Sequence, residues 1–301
     1  MSRTVANNSS ADFWRTRLTD RLLPYLLLAP AVVMLLALTA YPLVYALEIS
    51  LRSAAGDWTT ANFTRVTGDR FFGIAFVQTL VYTGAALAAE FSFGLILALL
   101  LDSQIRARNF FRALLLTPIM LPPVVVGVIW RLMLNPNFGV INGTLTSTGV
   151  NVTPLTWLAS SKLALLSVIV VDVWQWTPFM FLILLAGLQA IPQEPYEAAM
   201  IDGASWWQAF LHITLPLLKP AILVALLLRT IDLLRIFDQI FILTQGGPGF
   251  ATETVTLYIY KTAFRFFDLG YAAALSLLLL VFVNLVSMVY VRWLRREGRQ
   301  A

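Results

Sequence analysis

The sequence predicts an all-α, polytopic membrane protein with six transmembrane helices. Three observations carry that expectation: an apolar composition, six separate apolar runs, and an uneven spread of basic residues between them. Of 301 residues, 59% are hydrophobic and 12% charged, with a mean hydropathy of +0.78. A soluble domain carries about a quarter charged residues, so this chain cannot cover a water-facing surface and needs lipid as its solvent. It has no cysteine and one histidine, His212. Disulfides, thiolate chemistry and His-based metal or catalytic clusters are therefore excluded, and no metal site is expected.

Spans are predicted at about 23–48, 74–101, 110–134, 163–191, 218–243 and 270–291, since a crossing needs ~20 mainly apolar residues. Residues 1–22 form an N-terminal segment, 23–291 the transmembrane domain and 292–301 a tail. The first run follows Arg15, Arg17 and Arg21. It is too long for a signal peptide and no small-residue cleavage site follows, so it is read as a retained helix. Phe13 and Trp14 suit a short interfacial segment; a polar tail is the alternative. One alternate set of segments contains both termini, the 102–112 turn and the 192–219 loop. It holds twelve Lys and Arg, against six in the other set and three at or within spans. The richer side is expected to be cytoplasmic. The opposite segments, 49–73, 135–162 and 244–269, carry Asn-Pro, Asn-Gly and Gly-Gly-Pro-Gly turn chemistry. No internal repeat and no soluble domain is visible.

The most informative stretch is the loop 192–216. Pro192 and Pro195 are placed to close span four and to open a helix at its first turn. Glu194 and Glu197 lie where the helix dipole favours anions. Ala198 and Ala199 allow close approach to a partner, and Gly203 permits a sharp turn after Asp202. Trp206, Trp207 and Phe210 present a large apolar area, and Pro216 marks the start of span five. Such a loop offers a docking surface. Glu197-Ala198-Ala199, three residues, Gly203, nine residues, then Ile213-Thr214-Leu215-Pro216 resembles the EAA loop of ATP-driven importer permeases at every fixed position. Leu243–Gly249 resembles the last outer loop of sugar-importer permeases, and Leu134–Asn142 resembles their third-span exit.

The resemblance covers nearly the whole chain and points to the carbohydrate-uptake branch of binding-protein-dependent ABC importers. It is similar to the first permease of maltose and glycerol-3-phosphate importers, without the two extra N-terminal spans of the maltose example. What it implies is a type I ABC importer permease fold in a bacterial inner membrane. The subunit would be non-catalytic and work by alternating access, forming half of a path for a sugar or sugar-like solute. The implied partners are a second homologous permease, two ATP-binding subunits and an extracytoplasmic solute-binding protein. Glu197, Ala198, Ala199, Asp202, Gly203, Ile213, Leu215 and Pro216 would form the ATPase-coupling element. The chain has no phosphate-binding loop of its own, so no cofactor is expected in it; ATP and Mg would sit on the ATPase subunits.

Polar residues within spans mark the rest of the reading, because a charge at the bilayer centre costs ~2.5–3.5 kcal/mol on insertion scales. Arg229, Asp232, Arg235, Asp238 and Gln239 recur along span five at a spacing expected to form one helical stripe. They could line the solute path or form an ion-pair ladder against neighbouring helices. Asp172, Trp174 and Gln175 in span four suit a sugar, with its apolar ring face and hydroxyl edge; packing around Pro178 is the alternative. Glu90 and Asn284 are weaker candidates, read first as interhelical hydrogen bonds. Arg131 is expected to reach the interface or bind a loop, and His212 to be a surface residue. A stand-alone secondary transporter or channel is the competing class. It would need paired broken helices or inverted repeats, and neither is read in the sequence.

Overall fold

A computed structural model describes residues 9–53, 55–102, 108–149 and 153–297. The side chains of Phe13 and Trp14, residue Arg106 of the 102–112 turn, and the tail from 298 lie outside the described residues. The described chain is helical. In order, α1 is Ser9–Ser50, α2 Ala61–Val66, α3 Arg70–Asp102, α4 Arg108–Leu116, α5 Pro123–Met133, α6 Val140–Ser147 and α7 Leu163–Gln189. There follow α8 Glu194–Ile201, α9 Trp206–Ala209, α10 Leu215–Leu233, α11 Asp238–Leu243, α12 Val255–Phe264 and α13 Leu269–Glu297. Five stretches are long and apolar enough to cross a membrane: Leu23–Ser50, Arg70–Asp102, Leu163–Gln189, Trp206–Leu233 and Leu269–Arg296.

The remaining predicted span, 110–134, is not one helix. It is α4, a 3-10 turn at Pro118–Met120, and α5. Pro118, Pro122 and Pro123 remove three backbone donors, and the residues before the Pro122-Pro123 pair leave helical conformation: Leu121 (φ −84, ψ 134) and Pro122 (φ −58, ψ 138) are extended. The predicted span 218–243 is also interrupted: α10 ends at Leu233 and α11 starts at Asp238. The expectation that the sequence holds no broken helices is thus corrected at two places. Pro216 stands in the first turn of α10, as expected, and the helical run continues back to Trp206 through a π-helical turn at Phe210–Thr214.

Helix α7 is the centre of the molecule and packs along α3. Gly94 makes this possible: a Cβ there would stand 2.6 Å from the Met180 Cβ and 3.0 Å from the Phe181 nitrogen. Gly187 does the same for α7 against α10, where a Cβ would fall 2.6 Å from Ala221 Cβ and 2.7 Å from Leu218 Cδ1. Lipid tails are as apolar as leucine, so close backbone approach substitutes for a hydrophobic drive between membrane helices. Two apolar clusters result. One gathers Tyr82, Ala86, Val126, Val168, Val171, Leu233 and Ile240; the other gathers Ala98, Leu101, Phe181, Leu184, Leu188 and Leu218. Glu90, Gln175 and Arg229 fall between the two clusters along α3, α7 and α10.

Candidate functional site

Arg229 is fully buried at the centre of this intervening layer. Its Nε donates to Glu90 Oε2 at 2.7 Å and its Nη2 to Glu90 Oε1 at 2.9 Å. Nη2 also donates to Asp172 Oδ2, and Nη1 to Asp232 Oδ2 at 2.8 Å. The guanidinium carbon lies 4.7 Å from the centroid of the Trp176 ring. One cation therefore joins α3, α7 and α10 through hydrogen-bonded ion pairs, the arrangement in which buried charges are tolerated. Glu90 and Asp172 are buried with it, whereas the side chain of Asp232 is 50% exposed.

A second polar chain ties down the broken spans. Gln175 donates through Nε2 to the carbonyl of Leu121, at the interruption between α4 and α5, at 2.9 Å. Its Oε1 accepts from Gln239 Nε2 of α11 at 2.6 Å. Both amides are buried. The interruption before α11 is held as well, since Thr254 Oγ1 donates to the Ile236 carbonyl at 3.3 Å and Thr256 Oγ1 bonds the same oxygen. Irregular backbone at membrane depth persists only where protein or a water-filled cavity satisfies it, and these groups do so.

The structure therefore divides the eight residues suggested for the path. Asp172, Gln175, Arg229 and Gln239 are buried and bonded to protein, while Trp174, Asp232, Arg235 and Asp238 are exposed. The charges of span five do not share one stripe, because the helix stops between Arg229 and Asp238. Arg235 donates its Nε to the Ile231 carbonyl at 3.2 Å and borders a cavity of about 440 Å³ with Asn284, Ser276, Ser287 and Thr256. Trp174 faces away from the buried amides, edge-on to Trp130 at 5.6 Å. It lines an apolar groove of about 1010 Å³ with Phe93, Leu114 and Leu166. Among the described residues Asn284 makes no interhelical bond; its amide donates to the Leu280 carbonyl of its own helix. Glu90 does bond between helices, as the main partner of Arg229.

At one end of the bundle the segment 192–216 projects. Pro195 occupies the first turn of α8, with Glu194 and Glu197 beside it. The helix ends in a Schellman motif: Gly203 N donates to Met200 O at 3.1 Å and Ala204 N to Ala199 O at 2.9 Å. Gly203 supplies the left-handed residue this motif requires, with φ +73. A Cβ there would meet no atom of the chain within 4 Å, so backbone conformation alone constrains the position. Ser205 and Gln208 then form a reciprocal capping box, with Ser205 N donating to Gln208 Oε1 at 2.7 Å and Gln208 N to Ser205 Oγ at 3.4 Å. The Ser-x-x-Gln spacing is a readable signal for that cap, missed in the sequence reading. Trp206 stacks on Phe210 at 5.4 Å. Tyr196 Oη and Thr214 Oγ1, 2.9 Å apart, fasten α8 back to the bundle.

This loop leaves large apolar side chains in the open: Met200 is 70% exposed, Ile201 87%, Trp206 61% and Trp207 64%. Glu197, Ala198, Asp202, Gly203 and Pro216 are exposed, while Ala199, Ile213 and Leu215 are half-buried. His212 is exposed, its Nδ1 3.0 Å from the Gln208 carbonyl.

At the opposite end, Asp69 anchors the start of α3. Tyr258 Oη and Tyr271 Oη both donate to its Oδ2 at 2.6 Å, and the Phe71 and Phe72 amides donate to Oδ1. Burial pushes the carboxyl up, but these four donors together outweigh it and hold Asp69 below the usual carboxylate range.

Five spanning helices, a sixth crossing built from two pieces and an exposed helical loop define a polytopic α-helical membrane protein of the transport-permease kind. Residues 90–299 match the family described as binding-protein-dependent transport system inner membrane component. The chain is 39% identical over 279 residues to the trehalose/maltose transport system permease protein MalF of Thermococcus litoralis, covering 90% of this chain and 92% of that one. It is 37% identical over 287 residues to the sulfoquinovosyl glycerol transport system permease protein SmoG of Agrobacterium fabrum, covering 93% and 92%. It is 35% identical over 303 residues to the trehalose transport system permease protein SugA of Mycobacterium tuberculosis, covering 97% and 95%. Its fold matches a chain of a bacterial ABC transporter for import of the acidic polysaccharide alginate, with a TM-score of 0.82 at 23% identity over 95% and 99% of the two chains. The chain belongs to this family of inner-membrane components: it is a permease subunit of a binding-protein-dependent ABC importer.

Proposed function

We propose that this chain forms half of the translocation path of an ATP-driven importer for a sugar or sugar-like solute. It pairs with a second permease above two ATPase subunits that bind ATP and Mg. The chain itself is non-catalytic. The observation that carries this reading is the projecting loop. Its exposed Met200, Ile201, Trp206 and Trp207 sit on two capped helices, a preformed apolar surface of the kind that marks protein docking. Glu197 and Asp202 stand beside it as acidic contacts, and the loop end is cytoplasmic by its excess of Lys and Arg. The sugar assignment draws on the relatives named for trehalose, maltose and sulfoquinovosyl glycerol transport.

Within the path, Asp232 and Arg235 meet the solute, and Asp238 and Trp174 border it. The buried Asp172, Gln175, Arg229 and Gln239 brace the wall. That division follows from exposure and from the saturation of Arg229 by carboxylates. Reconstituted uptake tests it. Asp232→Asn and Arg235→Gln should lower solute uptake several-fold in complexes that still assemble and hydrolyse ATP. Normal uptake by both would remove the path assignment. Failure of the ATPase subunits to co-purify with the wild-type chain would remove the importer reading itself.

A further inference from the structure

The end of the molecule opposite the projecting loop contains a cavity of about 350 Å³ between the C-terminus of α5 and two outer segments. Its lining includes Arg131, Asn135, Thr156, Thr244 and Pro248. Arg131 donates one N–H to the Ile242 carbonyl, at 3.3 Å; among the described residues its other N–H groups have no partner. Asn135 spends its Oδ1 on the backbone amides of Asn137 and Phe138, at 2.9 and 3.4 Å, and among the described residues its NH₂ has no partner. The Thr244 hydroxyl is already engaged with Thr252 at 2.7 Å. The free groups are donors, and they fit an acceptor-only group such as a carboxylate.

The surrounding charge points the same way. Arg52 is paired with Glu48, Arg65 with Asp268, and Lys261 with Glu253. Arg265 lies near Glu253, and Asp69 is occupied by two tyrosine hydroxyls. Once these are set aside, the free charged side chains at this end, among the described residues, are Arg70, Arg131 and Lys162 against Asp57. Lys162 lies three residues beyond Ala159, which lines the cavity. This end is left with net positive charge, and Arg131 and Asn135 present open donors to the cavity.

We propose that this cavity is a docking socket for an acidic side chain of the extracytoplasmic solute-binding protein, whose carboxylate is received by Arg131 and Asn135. The proposal rests on the reading above that this end faces away from the ATPases. Complementary charge of this kind sets encounter rate and salt dependence as well as affinity. The test uses the assembled permease–ATPase complex in lipid nanodiscs, with binding of the solute-loaded binding protein measured over a range of NaCl. Arg131→Glu and Asn135→Asp each place a carboxylate in the socket. Both should weaken binding by about tenfold or more. Arg131→Gln keeps a donor for the Ile242 carbonyl and removes only the charge, so its binding should depend less steeply on salt. Wild-type affinity and salt slope in all three variants would overturn the proposal. So would unchanged binding accompanied by a raised solute KM for uptake, which would assign the cavity to the solute. A wild-type complex that binds the protein only from the α8 side would overturn the orientation, and the socket with it.

Discussion

Arg229 sits inside apolar protein with three carboxylates around one guanidinium. Removing one partner of a buried ion pair costs more than the pair contributes, because the other charge stays behind without water. Arg229→Leu strands Glu90 and Asp172, and should destabilise the purified complex by ~3–5 kcal/mol. Asp232→Asn removes a half-exposed partner and should cost ~1 kcal/mol or less. Thermal unfolding of the two variants side by side measures the difference; equal losses would contradict the burial argument. Arg229 and Asp172 were legible in the sequence as charges within apolar runs. Glu90 was legible as a polar residue, but its pairing was not, because its partner lies 139 residues away and no local pattern links them. Gly203 was fully legible, since a glycine just past a helix of Glu-Ala-Ala character is the residue a left-handed cap demands.

The helices were read well in number and poorly in continuity. The Pro122-Pro123 pair was a visible signal for the interruption between α4 and α5, outweighed by the apolar run around it. The interruption before α11 has no such signal, since Leu234, Arg235, Ile236 and Phe237 contain neither Pro nor Gly. It exists because Thr254 and Thr256, from a distant segment, take the carbonyl of Ile236. Gln175 serves the other interruption, so Gln175→Leu should orphan both the Leu121 carbonyl and the Gln239 amide. The expected loss is ~1–3 kcal/mol for each buried group left unbonded, read as a lower unfolding temperature. Gly94→Leu should separate α3 from α7, since even a Cβ stands 2.6 Å from Met180; failure of the variant to assemble is expected, and wild-type yield of the complex would contradict the packing. At the start of α3, the depressed pKa of Asp69 makes a pH statement. Its contribution is complete above the unfolded carboxyl pKa of ~4 and is lost as pH falls through the lower folded value. Hydrogen exchange at Phe71 and Phe72, corrected for intrinsic rate, should therefore stay protected through about pH 4 and open only as pH falls through the lower folded value. Asp69→Ala, which removes the acceptor, should lose that protection at neutral pH.

At the scale of the whole molecule the account makes a claim about sidedness and a claim about coupling. The proposed sidedness puts the projecting loop inside and the cavity end outside, on the excess of basic residues at the loop end. The chain has no cysteine, so Ser147→Cys and Gln208→Cys report position cleanly. An impermeant thiol reagent added outside intact cells should label the first and spare the second, and the reverse pattern would invert the topology. Coupling is tested most directly at Gly203. Within this chain a Cβ at Gly203 meets nothing, and aspartate tolerates the left-handed conformation better than most residues. Gly203→Asp therefore strains only the left-handed cap and should leave the bundle folded, so its defect lies in the loop and in the surface the loop docks against. The measurement is ATP hydrolysis stimulated by the loaded binding protein, with ATPase retention scored on the same vesicles. The account predicts that Gly203→Asp releases the ATPase or abolishes its stimulation, with Glu197→Ala milder; coupled hydrolysis and transport at the wild-type rate in Gly203→Asp would contradict it.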